Sequence, residues 1–419
     1  MITADHGLAA SGPAQRAGSP MLLQIGQSKA RDAVEQERKF RPNLYWYVSF
    51  RCNLACEHCW VNSSHWVDTS NDLTFEQAMN VVDQIAELNV RTVIMSGGEV
   101  TIFPRYLEII QALAERGIRV NIETNGLRFT PQFLEVAKRL QRDRLFAMSI
   151  SLDGGTAETH SALRGKGTFE RTVRGLRLLN ENGIEFSVQA VLNRTNYRTI
   201  PDLFALSEEL QPCCTGLQFA FLNPLGRGKE LILSLGLSFS DYNAIFELIK
   251  RSSASTNVPV VVKTPPATIP PQYIGTVFAN PRARPSVSCQ FPLLGVLPNG
   301  DITICALSRE NEDLHLGNVK THNLKEVWKR TRMDMLRSQY LSGEHLNGVC
   351  GDCVWKYQCK GGCRAWAYEN GGTFEAPLPL CAALDEAGEF PDVYRISVQN
   401  AAVSQLVKDH HAAAGCGCG

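Results

Sequence analysis

The sequence of 419 residues predicts an α/β protein with an open, partial barrel of six β/α units and a smaller, cysteine-rich second domain. Three observations predict this architecture. Strand-like and helix-like patterns alternate from Tyr45 onward, as they do in parallel β/α proteins. The first strand runs directly into a loop with three cysteines, and seven further cysteines lie between residues 289 and 381. The alternation stops near residue 252, so the two cysteine-bearing parts are predicted to be separate domains.

The composition is that of a globular protein without a general affinity for polyanions. Hydrophobic residues make up 44% of the chain, which allows a sizeable core. Lysine plus arginine equal aspartate plus glutamate at 42 each, so no net charge attracts nucleic acid or an anionic membrane. There is no run of roughly 18 apolar residues and no signal-peptide pattern, so we expect a cytoplasmic protein. Because the cytosol is reducing, a chain with 14 cysteines is expected to use them for metal ligation rather than disulfides, and ten of them form the pattern described below.

The first predicted strand leads into a three-cysteine loop. Residues 45–50 are aromatic and β-branched, and Cys52, Cys56 and Cys59 follow at the spacing C-x3-C-x2-C, with Trp60 after them. A 4Fe-4S cluster usually has four cysteine ligands, so this loop would leave one iron open to another ligand. For this motif taken alone, a zinc loop or a chance spacing is the alternative.

Strands two and three are predicted to end in small polar turns. Residues 92–96 lead to two glycines, which allow the backbone to approach a ligand, and to Glu99, which can accept a hydrogen bond from an ammonium group. An Asn-Gly turn follows residues 119–124. Plain β-to-α turns are the alternative at both places. Between strands one and two, a capping-box pattern at Thr74 and Gln77 predicts the start of a helix. The candidate site residues of these turns are Gly97, Gly98, Glu99, Thr124 and Asn125.

Strands four to six are predicted at residues 145–152, 186–192 and 216–221, with a helix at 169–182. Hydroxyl and guanidinium groups after strand four suit a ribose diol and a carboxylate, because arginine can bind a carboxylate through two hydrogen bonds. Solvated loop charges are the alternative for these groups. Ordinary core packing is the alternative for the apolar residues that end strand five. The candidates here are Ser151, Arg164, Val191 and Leu192.

The second group of cysteines follows a predicted linker. Residues 252–288 are rich in Pro, Ser and Thr and interrupt the alternation. Two short strands are predicted at residues 291–297 and 302–305, around an Asn299-Gly300 turn. Four cysteines are clustered at the spacing C-x2-C-x5-C-x3-C, and three others flank them. The seven are Cys289, Cys305, Cys350, Cys353, Cys359, Cys363 and Cys381.

The cysteine loop and the turns after the later strands resemble the radical S-adenosyl-L-methionine (SAM) superfamily. The resemblance implies a TIM-like partial barrel in which Cys52, Cys56 and Cys59 hold a 4Fe-4S cluster whose open iron binds SAM. It also implies that one electron splits SAM and that the resulting 5′-deoxyadenosyl radical abstracts a hydrogen atom from the substrate. The candidate residues of the turns, together with Trp60, would then bind SAM. Glu99 would contact the amino group of SAM.

The seven C-terminal cysteines resemble a SPASM domain. The resemblance implies two auxiliary 4Fe-4S clusters, one with four thiolates and one with three. The cluster with three thiolates needs a fourth ligand, which could be Cys213 or Cys214, a tail thiol, another side chain or the substrate. A zinc knuckle would explain the four clustered cysteines but not the three flanking ones. The first set would be Cys350, Cys353, Cys359 and Cys381, and the second Cys289, Cys305 and Cys363.

The resemblance covers residues 45–385 and implies a narrow range of functions. Members of the family oxidise or cross-link peptides, mature sulfatases or remodel tetrapyrrole side chains. Ala306 stands where sulfatase-maturing members place an aspartate, which disfavours that activity. The leading hypothesis is a peptide maturase that installs a cross-link, a thioether or an oxidation. A tetrapyrrole-modifying enzyme is one alternative, and a non-catalytic zinc-binding interaction protein is an alternative of another class.

The expected partners are a peptide or protein substrate and a reductant such as flavodoxin or ferredoxin. The N-terminal extension is expected to be too short and too weakly patterned for a leader-recognition module, so a bound leader peptide would need a separate binding protein or a different surface of this protein. The predicted domains are a loose extension (1–43), a barrel (44–251), a linker (252–288), a SPASM domain (289–385) and a tail (386–419).

Overall fold

The computed structural model describes residues 42–279, 283–285, 293–305, 307–309, 311–329 and 343–400. The N-terminal extension up to residue 41, Cys289, Ala306 and the chain from residue 401 lie outside these described residues. Within the described ranges, no helix combines the length and the apolar character needed to cross a membrane.

Parallel strands joined by helices form one open sheet. Its strands are β1 (Asn43–Ser49), β2 (Thr92–Gly97), β3 (Arg119–Thr124), β4 (Phe146–Ser151), β5 (Phe186–Leu192), β6 (Cys214–Phe221), β7 (Val260–Lys263), β8 (Ala283–Pro285), β9 (Leu293–Val296), β10 (Asp301–Thr303) and β11 (His315–Asn318). Their order in the sheet is β11-β10-β9-β1-β2-β3-β4-β5-β6-β7-β8. Neighbours are parallel from β9 through β1 to β8, whereas β10 is antiparallel to β9 and β11. Parallel strands bring their carboxyl ends to one edge, where ligands usually bind in such sheets.

Helices alternate with these strands and pack on the sheet. They are α1 (Phe75–Glu87), α2 (Tyr106–Glu115), α3 (Pro131–Arg142), α4 (Ala157–Arg164), α5 (Thr168–Glu181), α6 (Ile200–Glu209), α7 (Gly228–Leu235), α8 (Phe239–Ala254), α9 (Pro271–Ala279), α10 (Leu324–Trp328), α11 (Gly348–Gly351), α12 (Lys356–Cys359), α13 (Arg364–Gly371) and α14 (Pro379–Glu386). The predicted capping box of α1 is confirmed, because Thr74 Oγ1 accepts from Gln77 N and Gln77 Oε1 accepts from Thr74 N. Val81, Val82 and Ile85 of α1 are fully buried in the core.

The predicted alternation of strands and helices is confirmed. The bounds of β3 and β5 coincide with the predicted ones, and those of β2, β4, β6 and α5 differ by one or two residues at an end. These elements carry long, regular apolar patterns that tertiary contacts reinforce rather than override.

Residues 252–288 are not the linker that their composition suggested. β7 pairs with β6, and α9 and β8 follow it. Tyr273 of α9 stacks on Phe246 of α8 with their ring centroids 6.0 Å apart. The three valines at 260–262 form the strand, and the surrounding Pro, Ser and Thr residues obscured this short β-branched run. The barrel therefore extends beyond the six predicted strands.

The two strands predicted around Asn299-Gly300 join the main sheet instead of standing apart. β9 is parallel to β1, with Val296 opposite Trp46, and β10 returns antiparallel to β9. Gly300 has φ +94°, a conformation that favours glycine, and so allows the reversal. This pairing builds the first part of the cysteine-rich segment onto the barrel strand that leads into the cysteine loop.

The tail predicted from residue 386 is packed, not free, as far as residue 400. The backbone N–H of Val354 donates to Tyr394 O at 2.9 Å, and Tyr394 Oη donates to Ile269 O at 2.7 Å. Arg395 forms an ion pair with Asp385. These contacts connect the segment to both the cysteine-rich part and the barrel.

Candidate cofactor and active site

A cavity of about 490 Å³ lies at the carboxyl ends of the parallel strands. The cavity is lined by residues of the cysteine loop, of the turns after β2 and β3 and of the ends of β4 and β5. Nearly all of the predicted site residues of the barrel line it. They are Cys52, Cys56, Cys59, Trp60, Gly97, Gly98, Glu99, Thr124, Asn125, Ser151, Arg164 and Val191.

Hydrogen bonds from distant parts of the chain hold the cysteine loop in place. The backbone N–H of Cys52 donates to Ser64 O at 2.9 Å. Arg227, which follows β6, donates from Nε to Cys56 O at 2.7 Å and from its terminal nitrogen to Ser63 O at 2.8 Å. Because a guanidinium that spans two carbonyls fixes their separation, Arg227 sets the shape of the loop. The sequence analysis missed this residue, and only its place in Gly226-Arg227-Gly228 at a strand end could have indicated it.

The three loop cysteines are suited to an iron–sulfur cluster. Burial raises the pKa of the Cys52 thiol to about 12 and that of Cys56 to about 11, so both are protonated at neutral pH until a metal replaces the proton. In the described part of the chain, no three metal-ligating side chains converge as they would around a single ion. A cubane cluster does not require such convergence, because each of its thiolates binds a separate iron.

Glu99 is a buried carboxylate in a fixed orientation. Its Oε1 accepts from Thr101 N at 3.0 Å and from Thr124 Oγ1 at 2.7 Å, and its Oε2 accepts from Asn125 N at 2.8 Å. Asn125 also donates from Nδ2 to Asn53 Oδ1 in the cysteine loop at 2.7 Å. The turn after β3 therefore positions both Glu99 and the loop. A fixed carboxylate beside the cavity suits a ligand ammonium group.

The glycines before Glu99 also have a packing role within the protein. A Cβ on Gly97 would lie 2.3 Å from Ser49 O, and a Cβ on Gly98 would lie 1.9 Å from Arg51 O. They allow the turn after β2 to pack against the backbone that leads into the cysteine loop. This close approach is to the protein's own chain, and both glycines also line the cavity, where the predicted approach to a ligand stays a prediction.

Arg164 is held at the cavity by a buried aspartate. Its Nε donates to Asp153 Oδ2, and His58 Nε2 lies 3.0 Å from the same oxygen. Burial acts to raise the pKa of Asp153, but Arg164 and His58 outweigh it and hold that pKa well below its usual range. The other oxygen of Asp153 accepts from Val191 N at 2.7 Å. The ionised Asp153 thus joins the cysteine loop, α4 and the end of β5.

Only one of the two candidates on β5 reaches the cavity. Val191 lines it, whereas Leu192 is 1% exposed and packs in the core. Successive side chains of a strand point to opposite faces, so the two could not both face one ligand. The structure corrects the expected pair to Val191 alone.

The described C-terminal cysteines fall into two groups. Cys305 and Cys363 line the main cavity. The other four line a separate pocket of about 10 Å³. A hydrogen bond between the thiols of Cys350 and Cys381 lowers the pKa of Cys350 and raises that of Cys381. The members of the second group are Cys350, Cys353, Cys359 and Cys381.

Cys213 and Cys214 are not in either group. Both are buried at the start of β6, at the opposite end of this strand from the cavity. They pack as small apolar residues, which leaves a tail thiol, another side chain or the substrate as the candidates for the missing ligand.

Comparison with known proteins identifies the two parts of the chain. The model of the radical SAM superfamily matches residues 46–206, and that of SPASM, an iron–sulfur cluster-binding domain, matches residues 289–354. Residues 46–206 therefore carry a radical SAM domain. This radical SAM protein is therefore an enzyme whose cofactors are SAM and 4Fe-4S clusters, one that binds SAM and two auxiliary ones. The non-catalytic alternative is thereby set aside.

Relatives of this radical SAM enzyme include two kinds of protein. An AdoMet-dependent heme synthase from Methanosarcina barkeri is 28% identical over 81% of this chain and 95% of its own. The mycofactocin maturase MftC from Mycobacterium ulcerans is 29% identical over 81% of this chain and 87% of its own. Streptococcus suis SuiB has a similar fold. Its structure with SAM gives a TM-score of 0.63 at 19% identity, covering 88% of this chain and 84% of SuiB. Its structure with the precursor peptide SuiA gives 0.62 at 17% identity, covering 89% and 84%.

Proposed function

We propose that this enzyme reductively cleaves SAM and uses the 5′-deoxyadenosyl radical to modify a peptide or protein substrate. The modification would be a cross-link, a thioether or an oxidation. The proposal agrees with the similarity to mycofactocin maturase and with the fold shared with SuiB.

The shape of the cavity carries this proposal. Its volume of about 490 Å³ is typical of a small-ligand pocket, and SAM must fit in it together with the reacting part of the substrate. A peptide substrate can place one side chain in this cavity beside SAM and keep the rest of its chain outside.

Cys52, Cys56 and Cys59 would hold the SAM-binding cluster, which supplies the electron for cleavage of the sulfonium. Glu99 would accept from the SAM ammonium, since its carboxylate is already oriented by the turn after β3. Arg164 would bind the SAM carboxylate from the position that Asp153 gives it. The further SAM contacts would be Trp60, Gly97, Gly98, Thr124, Asn125, Ser151 and Val191.

The two groups of C-terminal cysteines would hold the auxiliary clusters. Cys350, Cys353, Cys359 and Cys381 would bind the first, and Cys305 and Cys363 with Cys289 would bind the second. These clusters would accept the electron left on the substrate after hydrogen abstraction, or would bind the peptide. Cys305 and Cys363 of the second set line the main cavity, so this set is the better placed for either task.

The remaining partners are an electron donor and a leader-binding protein. A cytoplasmic flavodoxin or ferredoxin would supply the electron, and a separate protein would recruit a leader peptide. The barrel would extend from residue 44 to β8, and the SPASM domain from residue 289 to about residue 400, because β7, β8 and the segment after residue 386 are packed.

Modification of a tetrapyrrole side chain is the second candidate. It is favoured by the heme synthase relative, whose own sequence is covered to 95%. Both candidates predict SAM cleavage, so the substrate must be varied to separate them.

The test is an anaerobic incubation of the reconstituted enzyme with SAM, a reductant and either short peptides encoded near its gene or iron coproporphyrin III. We expect a SAM-dependent mass change in a peptide, accompanied by 5′-deoxyadenosine. Turnover of the porphyrin with no change in any peptide would instead establish the second candidate.

A further inference from the structure

The cavity contains a lysine that none of the roles above uses. Lys263 ends β7, in the part of the chain that sequence reasoning took for a linker, and its side chain lines the cavity. In the register of the sheet it lies opposite Ala220 of β6, which in turn lies opposite Val191 of β5. Lys263 is therefore level with the proposed SAM-contacting end of β5, two strands away.

The hydrogen bonding of Lys263 is incomplete. Its Nζ donates to Gln189 Oε1 at 2.9 Å and, among the described residues, it forms no ion pair. An ammonium group has three donors, so two N–H groups are left for a ligand. Because lysine can only donate, the Gln189 oxygen must face it and the Gln189 amide nitrogen must point elsewhere. Gln189 also lines the cavity, and its amide group carries two further N–H donors.

Glu123 is the carboxylate whose charge acts on Lys263, and it has a hydrogen-bond partner of its own. Its Oε2 accepts from Ser96 Oγ at 2.9 Å. Burial lowers the pKa of Lys263, whereas the charge of Glu123 opposes that shift and favours the protonated lysine. A partly desolvated cation without a directly bound anion is costly unless a ligand supplies that anion.

We propose that Lys263 and Gln189 form a subsite that binds a carboxylate group of the substrate. The two side chains offer adjacent N–H donors and one positive charge, which matches the two oxygens and the single negative charge of a carboxylate. This inference rests on the proposed function only in taking the cavity as the place where the substrate reacts. The carboxylate could belong to a peptide or to a tetrapyrrole propionate.

A role in binding SAM is the competing explanation. The proposed contacts of the SAM ammonium and carboxylate, Glu99 and Arg164, follow β2 and β4, whereas Lys263 is on β7. SAM has one carboxylate, and Arg164 is already oriented for it by Asp153. Lys263 is thus available for a second carboxylate.

The test is site-resolved acylation of Lys263 in the anaerobic holoenzyme with SAM bound, using sulfo-N-hydroxysuccinimide acetate and mass spectrometry. We expect propionate to slow acylation of Lys263 several-fold and the neutral isostere propionamide to have no effect. Lys250, on the exposed side of α8, is the internal control and should react equally in all samples. Equal effects of propionate and propionamide, complete protection by SAM alone, or a Lys263 that no reagent reaches would each overturn the subsite.

Two further pairs of probes distinguish the source of the carboxylate. Protection by N-acetylglycylglycine but not by its C-terminal amide would assign a peptide carboxylate. Protection by coproporphyrin III but not by its methyl ester would assign a tetrapyrrole propionate. Protection by neither acid would contradict the subsite. If propionate protects Lys263 but no peptide is modified in the turnover assay, the proposed function fails and the subsite stands.

Once a substrate is identified, the KM values of Lys263 variants provide a second test. Lys263→Met should raise KM for a carboxylate substrate about 10-fold or more, as expected for a lost charge-assisted hydrogen bond. Lys263→Arg, which keeps the positive charge, should have a KM much closer to that of the wild type. Lys250→Met is the matched control and should leave KM unchanged. Substrate binding by Lys263 would be contradicted if Lys263→Met lowered kcat but left KM unaltered, and if Lys263→Arg had the same low kcat.

Discussion

Individual charged residues fix the site through hydrogen bonds made within the protein. Glu99 accepts from two backbone N–H groups and two hydroxyls. Arg227 donates to two carbonyls of the cysteine loop, and Asp153 orients Arg164. Apart from Thr101, their partners lie 11 to 171 residues away in the chain, so single-sequence patterns could suggest the candidates but not these contacts. This is why Glu99 and Arg164 could be predicted and Arg227 could not.

Arg227 provides the first prediction at this scale. Arg227→Met removes two charge-assisted hydrogen bonds, each worth about 1.5–3 kcal/mol, from carbonyls of the cysteine loop. We expect a loosened loop and a clear decrease in iron bound per protein and in 5′-deoxyadenosine formed. Arg174→Met, at an exposed position on α5, is the matched control. Normal iron content and SAM cleavage in Arg227→Met would show that the loop keeps its conformation without these two hydrogen bonds.

Glu99→Gln tests the proposed contact with the SAM ammonium. The glutamine amide removes the negative charge. It also places an NH2 group next to a backbone N–H that donates to a carboxylate oxygen in the wild type. We expect the dissociation constant for SAM to rise about 10-fold or more, measured by equilibrium binding to the cluster-loaded protein. Glu108→Gln, whose side chain is half exposed in an ion pair with Arg105, should bind SAM normally. Unchanged SAM affinity in Glu99→Gln would remove Glu99 from the site.

Among the structural elements, the barrel strands were easier to predict than their extensions. β3 and β5 have alternating patterns of six or seven residues, and their bounds were correct. β7 has four residues within a Pro-, Ser- and Thr-rich stretch, and β9 needs β1 as a partner. Short strands depend on long-range pairing that no local pattern contains. For this reason the prediction of a linker at residues 252–288 was wrong, and the pairing of β9 with β1 was not predicted.

Close packing between the turn after β2 and the cysteine loop leads to the next prediction. Gly98→Ala would place a Cβ 1.9 Å from Arg51 O, so the backbone of one segment must move. We expect a lower melting temperature and loss of SAM cleavage. Gly275→Ala is the control, because a Cβ there meets nothing within 4 Å and alanine is the better helix former. Wild-type stability and activity in Gly98→Ala would refute the proposed tight contact.

In the whole molecule, the barrel and the cysteine-rich segment share one sheet and one cavity. Cysteines more than 240 residues apart in the sequence, such as Cys59 and Cys305, line the same space. The spacing of the cysteines predicted the two C-terminal groups through resemblance to a family. Their arrangement relative to the barrel could not be predicted, because it depends on β9 pairing with β1 and on the packing of residues 386–400.

The measurement that tests the account most directly is 5′-deoxyadenosine formation by three anaerobically reconstituted proteins, the wild type, Cys56→Ala and Cys353→Ala. Because Cys56 lines the main cavity and Cys353 lines the separate pocket, the two variants are expected to differ. Cys56→Ala should form no 5′-deoxyadenosine, whereas Cys353→Ala should retain part of it and lose modification of the peptide. Wild-type SAM cleavage by Cys56→Ala would contradict the assignment of the cysteine loop as the radical-generating site.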